Sequence, residues 1–305
     1  MRIIVDAHGG DNAPLAVLQG CVEVGKKYSI DILLIGNKET IKHCAAEHSI
    51  SLGGCEILAA SAENSISIGL KALAAGKGEA FVSAGSTGQL VMEANRIIGR
   101  QAGIHRTAIA AVVPTIKEPF VLIDSGANLR CTPEILLQFA QMGAKYASDV
   151  LGVKTPRVGL LNIGTEPDKG DELHRDTYAL LKGHITPCLY SFIGNVEARE
   201  VPFGCCDVLV ADGFSGNIFL KAYEGTALAM LSGVKEIYRK NFLTKISSLL
   251  ISKGLIKLRN HMDYSQYGGA PLLGFNAVVI KAHGSSNAQA ICNAIHQAKK
   301  MLPDK

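Results

Sequence analysis

Short apolar runs recur along this 305-residue chain, and most of them close on glycine with a polar or acidic neighbour. They are RIIVDAHGG (2–10), DILLIG (31–36), CEILAA (55–60), AFVSAGSTG (80–88), TAIAAVVPT (107–115), FVLIDSGAN (120–128), RVGLLNIG (157–164), DVLVADGFSG (207–216) and AVVIKAHGSS (277–286). Aliphatic and β-branched residues follow one another here without alternation, the pattern of strands buried on both faces of a largely parallel sheet. Segments with helical spacing lie between them. One spans 133–150, where Thr132 is a candidate N-cap and Pro133 suits the first helical position. Strand alternating with helix predicts a wound α/β fold. Ligands of such sheets bind at the carboxyl ends of the strands, so the glycine-bearing ends are expected to converge on a shared cleft.

Composition narrows the class. With 48% hydrophobic and 19% charged residues, the chain can fill a sizeable core. A net charge of +4 is too small to imply nucleic acid without a concentrated patch, and it suits an anionic substrate or an acidic partner. The eight cysteines show no C-x-x-C spacing, so neither a zinc site nor a disulfide framework is expected. The apolar stretch Ile3 to Val5 is too short for a signal-peptide core, and no run approaches the roughly 20 apolar residues of a membrane span. A cytoplasmic protein is expected. No linker or repeat divides the chain, which is read as a single domain, 1–305, with one excursion at 237–262.

The familiar cofactor and nucleophile signatures are missing: no G-x-G-x-x-G, no G-x-x-x-x-G-K-[ST], no G-x-S-x-G and no H-E-x-x-H. What remains is a set of glycine turns rich in hydroxyl and amide side chains. They contain Gly9, Gly10 and Asp11; Gly85, Ser86, Thr87 and Gly88; Gly126 and Asn128; Gly213, Ser215, Gly216 and Asn217; and Gly284, Ser285 and Ser286. Glycine lets main-chain N–H groups approach an anion closely, and a following helix N-terminus adds positive potential. A phosphate or similar anion is the expected ligand. Lys169, Arg199, Lys281 and His283 stand beside these turns as candidate cations. A solvated surface residue is the competing reading for each.

Residues 237–262 carry Arg239, Lys240, Lys245, Lys253, Lys257 and Arg259 with no acid among them, and Leu249 and Leu250 fall on an apolar helical face. A basic amphipathic helix fits a membrane surface or an acidic carrier protein. A dimer-packing or core-capping helix is the alternative.

Read in order, the turns resemble the PlsX-type phosphate acyltransferases. The matching stretches are VDAHGGD (5–11), SAGSTG (83–88), DSGAN (124–128), PRVGLLNIGTEPDKG (156–170), NVEAR (195–199), DGFSGN (212–217), YGGAPLLG (267–274) and IKAHGSSN (280–287). Departures are His8 for the usual Met, Ser86 for Asn, Ala198 for Gly, Arg130 for an acid, and a 60–79 segment without the basic, double-serine stretch common there. The resemblance implies a three-layer α/β/α sandwich like that of isocitrate and isopropylmalate dehydrogenases. It implies a homodimer, no metal and no cofactor. The implied chemistry is transfer of an acyl group from acyl carrier protein to inorganic phosphate, with a membrane-bound glycerol-3-phosphate acyltransferase using the product and the enzyme resting peripherally on the membrane surface.

Phosphate is substantially dianionic near neutrality and a thiol leaves readily, so this chemistry requires neither a strong base nor a covalent nucleophile. Position and electrostatics are what such an enzyme must supply. Lys169, Lys281 and His283 are the expected phosphate and oxyanion stabilisers, His283 also protonating the thiolate. Asn217, Asn128 and Ser285 are expected to orient. Gly9, Gly10, Asp11, Gly85, Ser86, Thr87, Gly88, Gly126, Arg199, Gly213, Ser215, Gly216, Gly284 and Ser286 complete the expected phosphate site. Lys245, Leu249, Leu250, Lys253, Lys257 and Arg259 are the expected membrane or carrier contacts. Two other readings stay open: a phosphotransacetylase acting on short acyl-CoA, and a catalytically silent membrane-surface scaffold.

Overall fold

The computed structural model describes residues 1–53, 55–184, 189–239, 254 and 264–303. The expected contacts from Lys245 to Arg259 lie outside the described residues. The first half winds β1 (Arg2–Asp6), α1 (Leu15–Tyr28), β2 (Asp31–Gly36), α2 (Lys38–Glu47), β3 (Glu56–Ala59), α3 (Ser65–Ala74), β4 (Ala80–Ser83) and α4 (Thr87–Ile97). Then follow β5 (Ala108–Val113), β6 (Phe120–Ile123), α5 (Pro133–Leu151), β7 (Arg157–Asn162), α6 (Glu172–Gly183), β8 (Ser191–Glu197) and β9 (Val208–Val210). The chain closes with α7 (Gly213–Arg239), β10 (Ala270–Leu273), β11 (Val278–Lys281) and α8 (Ala288–Lys300).

Every apolar run named above contains a strand. Two strands, β8 and β10, escape the pattern for physical reasons. β8 is a half-exposed edge strand, and β10 is short, carries Pro271 and pairs antiparallel on both sides. α5 starts at Pro133 as expected. Thr132 has extended N-cap geometry, but its side chain makes no cap bond. Its hydroxyl bonds the Glu134 carboxylate instead, which lowers that group's pKa. Gly152, at φ +75°, ends the helix in the left-handed conformation.

The sheet has the order β3-β2-β1-β4-β11-β10-β5-β6-β9-β7-β8. It is mostly parallel and mixed. Alternate residues of single strands pack on opposite faces. Ile3 and Val5 of β1 meet α1 and α8, while Ile4 meets α3. In the second half Ile123 faces α5 and Leu122 faces α7. Helices therefore cover both faces, which accounts for the lack of alternation in the sequence.

The expected convergence occurs by a different route from a parallel sheet. The antiparallel pairs β11/β10, β10/β5 and β5/β6 reverse the strand direction, so the two halves run toward each other. Lys281 stands opposite Ala270, Leu272 opposite Ile109, and Ala110 opposite Ile123. Stepping across those registers, the carboxyl ends of β11 and β6 come level near the middle of β5. They arrive from opposite directions.

Candidate active site

Three turns are knitted together at the ends of β1, β4 and β11. Asp6, 2% exposed, accepts the Ser83 hydroxyl at 2.7 Å and the His8 N–H at 3.1 Å, while the Gly85 N–H donates to Ser83 Oγ at 3.0 Å. A Cβ on Gly9 would lie 2.5 Å from the Gly85 nitrogen, so only glycine lets these turns touch. Gly10 takes φ +99° against the Gly284 carbonyl. The Asn12 amide reaches the carbonyls of Ser285 and Ser286 at 3.2 and 3.3 Å. His8 turns away, its Nε2 accepting the Asn37 N–H at 2.8 Å.

The second-half turns are organised around their own carboxylates. Asp124, fully buried, accepts the N–H groups of Ile109, Gly126, Ala127 and Asn128 and the Asn128 side-chain amide. Burial raises its pKa, and those donors pull the other way. Asp212 Oδ1 accepts from Phe214 and Ser215, and its carbonyl from Gly216, while the Gly213 N–H goes to the Asn128 carbonyl. These amides are spent inside the chain. The main-chain N–H groups of Gly213, Ser215 and Gly216, residues expected at the phosphate site, thus have partners within the chain. Gly216 is small for packing, since a Cβ there would lie 2.0 Å from the Asp124 carbonyl oxygen. Asn128 uses its amide on Thr107 O at 2.8 Å and on Asp124. Asn217 donates to Ser125 O at 2.9 Å.

At the start of α4 the situation is the reverse. Ser86 is the N-cap without a side-chain cap bond, and the N–H groups of Thr87, Gly88 and Gln89 find no partner among the described residues. Unpaired N–H groups at a helix N-terminus form an anion-binding end. Lys281 sits beside it, its Nζ 3.4 Å from the Ala84 carbonyl and also on the Ala282 carbonyl. Burial, then the charge of Lys221, pushes the Lys281 pKa down to about 8, while Asp11 opposes them. His283 is likewise lowered, first by burial and then by Lys221. Its Nδ1 accepts the Ser285 N–H at 3.2 Å and lies 2.8 Å from Ser285 Oγ, and its Nε2 lies 3.5 Å from Lys221 Nζ.

A cavity of about 570 Å³ joins these groups, within the size range of small-molecule sites. Thr87, Lys281, His283, Gly284, Ser285 and Ser286 line it from one side, and Gly126 and Asn217 from the other. Gly9, Gly10, Asp11, Gly85, Ser86 and Gly88 stand behind or beside the rim. Lys169 and Arg199 do not reach it. Lys169 follows β7, two strands from β6 and about 10 Å away at the usual sheet spacing. Its exposed turn is held by Asn162, which bonds the Lys169 carbonyl, and by Asn195, which bonds that of Glu166. Arg199 is exposed and paired with Glu197 at 2.6 Å.

Sequence reasoning missed Lys221, which acts on both candidate cations. It sits one helical turn beyond Asn217, inside α7 and away from any glycine turn. The i, i+4 spacing from Asn217 was the available signal. Among the described residues no group of three or more metal-ligating side chains occurs, and no helix is long and apolar enough to cross a membrane.

The sheet and its helices share the fold of phosphotransacetylases. A phosphotransacetylase from Streptococcus pyogenes superposes with a TM-score of 0.69 at 18% identity, covering 98% of this chain and 94% of that one. The 4-hydroxythreonine-4-phosphate dehydrogenase of Klebsiella pneumoniae gives 0.58 at 11% identity, with 98% of each chain covered. In sequence, the fatty acid synthesis protein family matches residues 1–305. A phosphate acyltransferase of Alkaliphilus oremlandii is 42% identical over 100% of this chain and 95% of its own length, and one of Bacillus cereus is 42% identical over 99% and 94%. The chain belongs to this family, the PlsX-type phosphate acyltransferases.

Proposed function

We propose that this cavity forms acyl phosphate from an acyl thioester and inorganic phosphate. Phosphate rests on the Thr87 and Gly88 N–H groups, with the Lys281 ammonium against its charge. One phosphate oxygen attacks the thioester carbonyl carbon, a tetrahedral oxyanion forms, the C–S bond breaks and the thiolate leaves. The neutral His283 ring stands beside the departing sulfur as a hydrogen-bond donor, the thiolate takes up the proton that hydrogen phosphate loses as the acyl phosphate dianion forms, and Asn217 faces the reacting groups across the cavity. The supporting observation is the meeting of unpaired α4 amides with a half-buried lysine in one cavity, in a chain whose relatives are phosphate acyltransferases.

The finer parts of the reading follow from the family. The donor is acyl carrier protein, a membrane-bound glycerol-3-phosphate acyltransferase consumes the product, and the enzyme is a single-domain homodimer that meets the membrane surface through 237–262. The fold is taken as the isocitrate/isopropylmalate dehydrogenase type of sandwich, which the dehydrogenase likeness supports. The test is mass spectrometry of the products from palmitoyl carrier protein plus phosphate, beside acetyl-CoA plus phosphate. Palmitoyl phosphate as the main product supports the reading. Acetyl phosphate alone favours a short-chain phosphotransacetylase, and neither product favours a scaffold.

A further inference from the structure

The reaction uses one end of the cavity, and α7 and β5 add a largely apolar wall to the rest. Along α7 the residues facing the cavity are Leu220, Tyr223, Glu224, Ala227, Leu228 and Leu231, a stripe spaced three, four, seven, eight and eleven residues from the first. The floor opposite is β5, with Ile109, Ala111 and Val113. The polar atoms on this wall are already engaged. Tyr223 donates its hydroxyl to the Pro114 carbonyl at 2.8 Å, which leaves its ring as cavity surface, and Glu224 is paired with Lys221 at 3.1 Å. Leu228, 61% exposed, stands on this stripe. An exposed leucine beside a cavity is favourably covered by an apolar ligand.

We infer that this wing is the channel for the acyl chain and that Ala227, the smallest side chain on the stripe, sets the room for it. The inference rests on the acyl phosphate reading, which places the thioester carbonyl beside Lys281 and His283. The occupant is a linear saturated chain, because the cavity has an anion-binding end and the α7 and β5 side chains named above are apolar or already paired. From Lys221, beside His283, to Leu231 the helix rises about 15 Å. A staggered carbon chain with bonds of about 1.5 Å advances about 1.25 Å per carbon, so the stripe covers about 12 carbons. Beyond that point the chain gains no further wall.

Thioesters of 4, 8, 12 and 16 carbons on carrier protein test this. With wild-type enzyme, kcat/KM is expected to rise about fourfold per added methylene within the channel and to flatten near 12 carbons. Ala227→Phe is expected to lower kcat/KM at least tenfold for the 12- and 16-carbon substrates and less than about twofold for the 4-carbon one. Ala229→Phe, on the exposed face, controls for damage to the helix and should change nothing. A flat wild-type series, or an Ala227→Phe effect equal at all lengths or absent, overturns the channel. Dodecyl phosphate and butyl phosphate, measured by calorimetry, separate this from the reaction itself. If no thioester yields acyl phosphate, the functional reading falls. The channel still stands if wild type binds the dodecyl ester more tightly and Ala227→Phe erases that preference, and it falls if both esters bind alike.

Discussion

The main-chain N–H of Asp11 donates to the carbonyl oxygen of Gly284 at 2.8 Å, closing the first turn of the chain against one of its last. That bond brings the Asp11 carboxylate into the field of Lys281 and sets the rim of the cavity. The rim is built by contact between main chains, which Gly9 permits.

Gly9→Ala places a methyl group 2.7 Å from Asp6 Oδ2 as well as against the Gly85 nitrogen. The turn must move, and overpacking of this kind costs about 1–3 kcal/mol. Displacement of about 1 Å at the anion site is expected to reduce kcat about 100-fold. Thermal unfolding and initial rates, measured on the same preparation, check both.

Asp124→Asn replaces one acceptor oxygen with an NH₂ group among N–H donors, in a fully buried position. A loss of about 3 kcal/mol or more is expected, because donor faces donor without water. At about 2 °C per kcal/mol, the midpoint should fall by roughly 6 °C or more in calorimetry.

The Lys281 pKa of about 8 predicts two opposite pH trends. Phosphate binding needs the ammonium, so kcat/KM for phosphate should decline as pH rises through about 8, and Lys281→Arg should move that limb above pH 10. Stability goes the other way. A lysine with a lowered folded pKa binds fewer protons folded than unfolded between about 8 and its ordinary value near 10.4, so wild type should gain on Lys281→Met over that interval. Rate profiles and denaturant titrations at matched pH values measure the two trends.

Gly88 and Gly216 are both first-turn helix glycines, yet they should respond oppositely to alanine. Nothing lies within 4 Å of a Cβ on Gly88, whereas one on Gly216 meets the Asp124 carbonyl oxygen. Gly88→Ala should leave stability equal or raise it by up to about 1 kcal/mol. Gly216→Ala should lower it by at least about 2 kcal/mol. Urea midpoints decide.

Much of the fold is legible in the runs themselves, because a strand buried on both faces needs an unbroken apolar segment. β8 and β10 stay hidden for lack of that double burial. The reversal of direction across β10 and β5 is invisible too, since an apolar run carries no sign of its neighbour's direction. At the site, Lys281, His283, Ser285 and Asn217 are legible as polar residues at strand ends. Glycine turns show equally well at Asp212 and Ser86. Only the hydrogen bonds reveal that the first spends its amides on the chain's own carboxylate, while the second leaves them open. Lys169 reads like Lys281 in sequence and stands two strands away from the cavity flank in space.

The central claim is that Lys281 and the open amides of α4 hold the attacking phosphate. Its most direct measurement is the phosphate dependence of acyl phosphate formation from palmitoyl carrier protein, in wild type and in a folded Lys281→Met variant. Saturable formation in wild type, with kcat/KM for phosphate at least 100-fold lower in the variant, is the expected result. The same phosphate dependence in both proteins would contradict it.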